Sequence, residues 1–142
     1  MLTKKKVISY IVRTHRNLKE ILVFDHAGIP EAGVQVIGGT VETGEDLKLA
    51  LKREIKEESG LNFEIEEMMY LGETFYERKD RDELNHRTYF LINGENLENT
   101  FSHIVQSDGE DNGLEFLFYW LSFKEANKIL TGNFQELLNK VE

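Results

Sequence analysis

The stretch from Gly38 to Leu61, GGTVETGEDLKLALKREIKEESGL, constrains the fold of this chain more than any other part. Its spacing predicts a helix over about Asp46 to Ser59, with Thr43 or Glu45 near its start and Gly60 as a left-handed stop. Glu54, Glu57 and Glu58 stand at i, i+3 and i+4, so at about 100° per residue they share one helix face. Leu47, Ala50, Leu51 and Ile55 project to that same side, whereas Lys48, Lys52 and Lys56 take the opposite one. An ordinary amphipathic helix sends its charges to water and its apolar stripe inward. Here three carboxylates stand along the rim of the apolar side, where they repel one another and lose water. Something positive must offset that, and a divalent cation is the natural candidate.

The bulk of the sequence limits the remaining choices. Its 142 residues suit one domain, 1–142, around one core, and 40% apolar with 30% charged residues is ordinary for a globular chain. With 17 basic and 26 acidic residues the net charge is −9, which argues against a general binder of nucleic-acid backbone. A small anionic substrate stays compatible, because a bound metal inverts the local field. The chain has no cysteine, so disulfides, thiol catalysis and thiolate zinc sites are excluded. No apolar run approaches the ~20 residues that span a bilayer. The basic opening MLTKKKVISYIVRTHRN reads as a first strand and not as a signal peptide. A soluble, cytoplasmic protein is the expectation, with no membrane partner.

Val7 to Val12 and Glu20 to Phe24, rich in β-branched and aromatic residues, predict two strands. Val34 to Ile37 reads as a short strand running into Gly38-Gly39. Beyond the helix, Phe63 to Tyr76 reads as one long or bent strand, His86 to Ile92 as another, and Asn93-Gly94 as a hairpin turn. Gln106 to Gly113 is a polar loop and Leu114 to Leu121 an apolar strand. The tail reads as helical, with capping boxes at Ser122/Glu125 and Asn133/Glu136 and a break at Gly132. Its buried face would carry Ala126, Ile129, Leu130, Phe134, Leu137, Leu138 and Val141. Strands flanked by a mid-chain and a terminal helix predict an α/β fold, a mixed β-sheet between helices.

From Gly39 the chain reads Gly, five residues, Glu45, seven residues, then Arg53-Glu54-Ile55-Lys56-Glu57-Glu58-Ser59-Gly60-Leu61. This pattern resembles the Nudix box, the signature of the Nudix hydrolases, with every fixed position filled. Trp120 through Glu125-Ala126 is similar to a common ending of that family. One departure is Ile37, where many members carry a proline. The resemblance implies a Nudix-type α/β/α sandwich that hydrolyses a nucleoside diphosphate linked to another moiety X. The products would be a nucleoside monophosphate and a phosphorylated X. It also implies Mg2+ or Mn2+, which suits the chemistry. A pyrophosphate bridge repels an attacking hydroxide, and a hard cation both neutralises its oxygens and acidifies a bound water.

By position in the box, Glu57 and Glu58 would be the main metal ligands, and Glu54 would bind metal or act as general base. Arg53 would orient the acids, and Glu45 would brace the loop by pairing with Arg53. The carbonyl of Gly38 would add a ligand, with Gly39 and Gly60 supporting the site. Glu115, at the start of the last strand, would complete the metal set or serve as base, in competition with Glu110 and Asp111. Arg78, Lys79, Arg81 and Arg87 are candidates for meeting phosphates.

No proline follows the box, and Tyr76 is off register for the tyrosine of dinucleoside polyphosphate hydrolases. A nucleoside triphosphate, a nucleotide sugar or a broad range of substrates remains. A homodimer is compatible with the family, although the sequence shows no coiled-coil seam and no isolated apolar patch. A nucleotide- or metabolite-binding sensor on the same fold is the alternative reading, and a structural module held by ion pairs alone is a third.

Overall fold

A computed structural model describes residues 1–141. Its strands are β1 (Leu2–His15), β2 (Leu18–His26), β3 (Gly38–Thr40), β4 (Met69–Arg78), β5 (Glu83–Asn93), β6 (Phe101–Ile104) and β7 (Glu115–Ser122). They form one mixed sheet in the order β4-β5-β1-β2-β7-β6, with β3 lying beside β1. β1 is its axis: it runs parallel to β5 and antiparallel to β2 and β3. Side chains alternate across a strand, so Val7 and Ile11 enter one core cluster while Ile8 and Tyr10 enter the other. In β2, Ile21 to Phe24 are all buried, as befits a strand covered on both faces.

The helices are α1 (Leu47–Ser59) and α2 (Phe123–Ile129). Asp46, rather than Thr43 or Glu45, caps α1: its carboxylate accepts from the backbone N–H groups of Lys48 and Leu49. The helix ends at Gly60, with φ 75°. Leu47, Ala50, Leu51 and Ile55 pack with Val7, Ile11 and Phe116 on one side of the sheet. Ala126, Leu130, Leu137 and Leu138 pack with Ile8, Tyr10 and Tyr89 on the other. The result is the α/β/α sandwich that the sequence implies.

Several local expectations give way. Residues 63–68 are not strand; Ile65–Glu67 is a 3-10 turn that leaves Phe63 and Met68 buried in the α1-side core. Val34 to Ile37 makes only isolated bridges, Phe24 to Gln35 and Val34 to Leu130, and the strand proper is β3. Asn93-Gly94 is no hairpin, because both edges of β5 are already taken by β1 and β4. Gly94 instead donates its N–H to the Val12 carbonyl, and the chain crosses to β6, a strand the sequence did not announce. The one tight hairpin joins β1 to β2 through Arg16 and Asn17, with φ 51° and 66°.

The α-helix of the tail ends at Ile129, which is exposed, and only a 3-10 turn, Leu138–Lys140, follows. Gly132 and Asn133 both take positive φ and break the repeat. Glu136, expected in a second capping box, turns inward and accepts from Arg87, Tyr89 and Thr74. A second surprise lies on the edge strand β4, where Tyr70 is 59% and Phe75 64% exposed, a patch not evident from sequence.

Candidate active site

The acids of α1 face β3, and the approach is close. A Cβ on Gly39 would overlap the Glu54 carboxylate, and one on Gly38 would stand 2.6 Å from the Val7 carbonyl oxygen. Two residues without side chains therefore let β3 lie against both α1 and β1. Arg53 is the hub. Its Nε and Nη2 donate to the two carboxylate oxygens of Glu45, each at 2.9 Å. Its Nη1 donates to Glu54 Oε1 at 3.0 Å and to Glu57 Oε1 at 3.3 Å, and Nη2 reaches the Thr40 carbonyl at 3.2 Å. One planar guanidinium thus ties the loop before α1, the strand β3 and two acids of the helix together.

The electrostatics follow from these contacts. The paired hydrogen bonds from Arg53 hold the Glu45 carboxyl down at about 2. The same bonds, together with the charge of Glu54, stabilise the Arg53 cation beyond its ordinary range. Glu57 is pushed up, first by burial and then by the charge of Glu54. Glu58 is only 8% exposed and is pushed well above the usual carboxylate range. Burial is the largest cause, followed by Glu54, with Asp111 and Glu57 adding repulsion.

On the tail side of the sheet lies a cavity of about 360 Å³; Gly38 and Gly39 of β3 line it together with Arg78, Asp80 and Asn85, and none of the α1 acids does. Lys6, Tyr76, Arg87 and Phe134 also line it. Lys6 donates to Thr40 Oγ1 at 2.6 Å and has no carboxylate in ion-pair contact among the described residues; burial lowers its pKa. Arg87 is 3% exposed, pairs with Glu136 at 3.2 Å, and lies between the rings of Tyr76 and Phe134, 4.0 and 4.3 Å from their centroids. Arg78 pairs with Asp80 at 3.0 Å, so of the cavity's cations Lys6 is the one without a carboxylate in ion-pair contact among the described residues.

The NUDIX domain family model matches residues 4–138. The chain belongs to the NUDIX domain family. No curated protein matches it. Among solved structures it is similar to a MutT NUDIX hydrolase from Burkholderia pseudomallei, with TM-score 0.73, 20% identity and full coverage of both chains. It is also similar to the Escherichia coli dihydroneopterin triphosphate pyrophosphohydrolase, with TM-score 0.69 and 17% identity over 99% of this chain and 97% of that one. The C. elegans Ap4A hydrolase gives TM-score 0.62 and 23% identity, over 99% of this chain and 96% of that one. At these identities the likeness concerns the fold.

As a member of this family the chain falls in the Nudix pyrophosphohydrolase class, whose members generally use a divalent metal. The donor set suits one. Glu54, Glu57 and Glu58 offer only hard oxygen ligands. Glu58, buried against a like charge, would be relieved by a cation. The convergence expected from sequence is nevertheless incomplete. Arg53 engages both Glu54 and Glu57, and among the described residues no three His, Asp or Glu side chains close on one point.

Glu115 is exposed, at the start of β7, and its competitor Asp111 adds its charge to Glu58. Of the four cations proposed for phosphates, Arg78 and Arg87 reach the cavity and Lys79 and Arg81 do not line it. Lys6 was missed, although its alternation with Ile8 along β1 was a signal that it faces inward. No helix of the described residues is long and apolar enough to cross a membrane.

Proposed function

We propose that the chain, as a single domain, hydrolyses the pyrophosphate bond of a nucleoside diphosphate linked to X, releasing a nucleoside monophosphate and a phosphorylated X. The observation that carries this reading is the acid cluster of Glu54, Glu57 and Glu58, the first two bound by Arg53, packed against Gly39, which also lines the cavity that holds Lys6. Glu57 and Glu58 would hold Mg2+ or Mn2+, with the Gly38 carbonyl as a further ligand. A bound ion would supply the positive charge that neutralises the pyrophosphate oxygens.

The residues of the chain do the rest. Lys6 holds phosphate oxygens in the cavity, which gives its ammonium the anionic partner it lacks. Glu54 takes a proton from the attacking water. The water oxygen bonds to one phosphorus as the bond from that phosphorus to the bridging oxygen breaks, and the electron pair leaves with the bridging oxygen. Arg53 keeps Glu54 and Glu57 in register through this exchange. A cytoplasmic site of action, where nucleotide substrates are made, is part of the same proposal.

The test is a screen of nucleoside triphosphates, nucleotide sugars, ADP-ribose and dinucleoside polyphosphates with Mg2+ or Mn2+. Release of monophosphate from at least one supports the reading; no turnover of any by folded protein refutes it. Glu54→Gln should lower kcat by about 10²–10⁴-fold while leaving the circular dichroism spectrum unchanged.

A further inference from the structure

The cavity contains a polar group that the proposed hydrolysis does not use. Asn85 is 3% exposed and lines the cavity. Its Nδ2 donates to Glu83 Oε1 at 2.7 Å, and among the described residues nothing donates to its Oδ1. Asn85 thus lines the cavity with its Nδ2 engaged by Glu83 and its Oδ1 free of any donor among the described residues. The amide cannot turn round. Glu83 is itself buried and bound by Lys4 Nζ at 3.4 Å, and its carboxyl is held below the ordinary range, first by Asn85 and then by Lys4. An ionised carboxylate only accepts, so Nδ2 must face it and Oδ1 must face away.

Asn85 therefore presents a fixed edge, an acceptor beside the remaining N–H donor. Such an amide edge pairs with a base whose own edge carries a donor and an acceptor side by side. On β5, Asn85 lies two residues, about 7 Å, from Arg87, and Arg87 is the register partner of Lys6 on β1. A nucleotide whose phosphates sit at Lys6 and Gly39 would extend its base along this row. Tyr76, the cross-strand partner of Asn85, offers an aromatic wall there. With the phosphates anchored, the base has one approach, and a fixed edge then accepts an amino group or a carbonyl at its exocyclic position, but not both.

We propose that Asn85, oriented by Glu83, is the residue by which this protein tells amino-bearing bases from carbonyl-bearing ones. The proposal rests on the nucleotide pyrophosphohydrolase reading above.

ATP against ITP, and CTP against UTP, are the cleanest probes, because within each pair the bases differ only at this edge. Binding of their non-hydrolysable imido analogues with Mg2+ is measured by calorimetry, and kcat/KM is measured on the nucleotides themselves. The wild type should separate the members of at least one pair by about tenfold to a hundredfold. Asn85→Leu should bring that ratio close to one. Glu83→Gln, nearly isosteric, lets a side-chain N–H face Oδ1 and frees the amide to turn, so the ratio should shrink or invert with the fold intact.

Equal binding within both pairs, or an unchanged ratio in both variants, overturns the proposal. A uniform loss across all four nucleotides in Asn85→Leu also overturns it, because that would place the contact on ribose or on structure. Selective binding without turnover of these four or of any member of the wider screen would defeat the hydrolase reading and leave the base-reading role standing. No binding of any of the four would overturn the base-reading role, while the hydrolase reading would still be decided by the wider screen.

Discussion

Arg53 bonds to three carboxylates, yet those acids sit in very different environments. Glu45, paired on both oxygens, is held at about 2. A carboxyl whose folded pKa lies below its unfolded value adds stability above the unfolded value, and loses it as pH falls through the folded one. The advantage of wild type over Glu45→Gln should therefore be full above pH 4.5 and fade as pH falls toward 2, as read by denaturant melts across that window.

Glu58 has the opposite sign. Its folded pKa is raised by burial and by Glu54, so stability is lost as pH rises through the folded value, and a neutral side chain there escapes that cost. Glu58→Gln should raise Tm at pH 7 without added metal, by roughly 2–4 °C for each kcal/mol relieved. Added Mg2+ should raise the Tm of wild type and not of the variant. The identities of these acids were readable in the sequence, because helical spacing alone puts them on one face. The sharing of Arg53 between Glu54 and Glu57 was not, since it depends on side-chain torsions that spacing does not specify.

Elements defined by repetition were predictable, and those defined by partners were not. α1 carries its apolar stripe, cap and stop within its own residues, so sequence located it to within a residue. β6 is four residues whose strand state depends wholly on pairing with β7. The tail failed for a related reason: Glu136 gains more from Arg87, Tyr89 and Thr74 than from capping a helix, and that triad comes from distant parts of the chain. The β1–β2 hairpin depends on a local cost. Arg16 and Asn17 hold left-handed backbone that an L residue pays about 1–2 kcal/mol to adopt. Asn17→Gly should stabilise the protein by up to about 1 kcal/mol, partly offset by the added freedom of the unfolded chain, and thermal melts will show the direction.

At the scale of the molecule, the sheet separates two cores. One lies under α1, the other under the tail, and β1 serves both. Its far edge, β4, carries Met69, Tyr70 and Phe75 outward with no covering strand. Exposed apolar edges recruit other chains. Phe75→Lys should lower self-association at high concentration, which sedimentation velocity can measure, without changing the circular dichroism spectrum.

The wall that the tail gives the cavity has an origin of its own. Thr131 to Phe134 is shaped by individual locks: Thr131 Oγ1 to the Val34 carbonyl, the Tyr10 hydroxyl to the Phe134 carbonyl, and the Glu136 anchor. The proposed cleavage at α1 and the cavity wall from Thr131 to Phe134 thus come from segments far apart in the chain, joined only through packing. Substitutions in that wall could reshape the pocket while every bond of Arg53 stayed as it is.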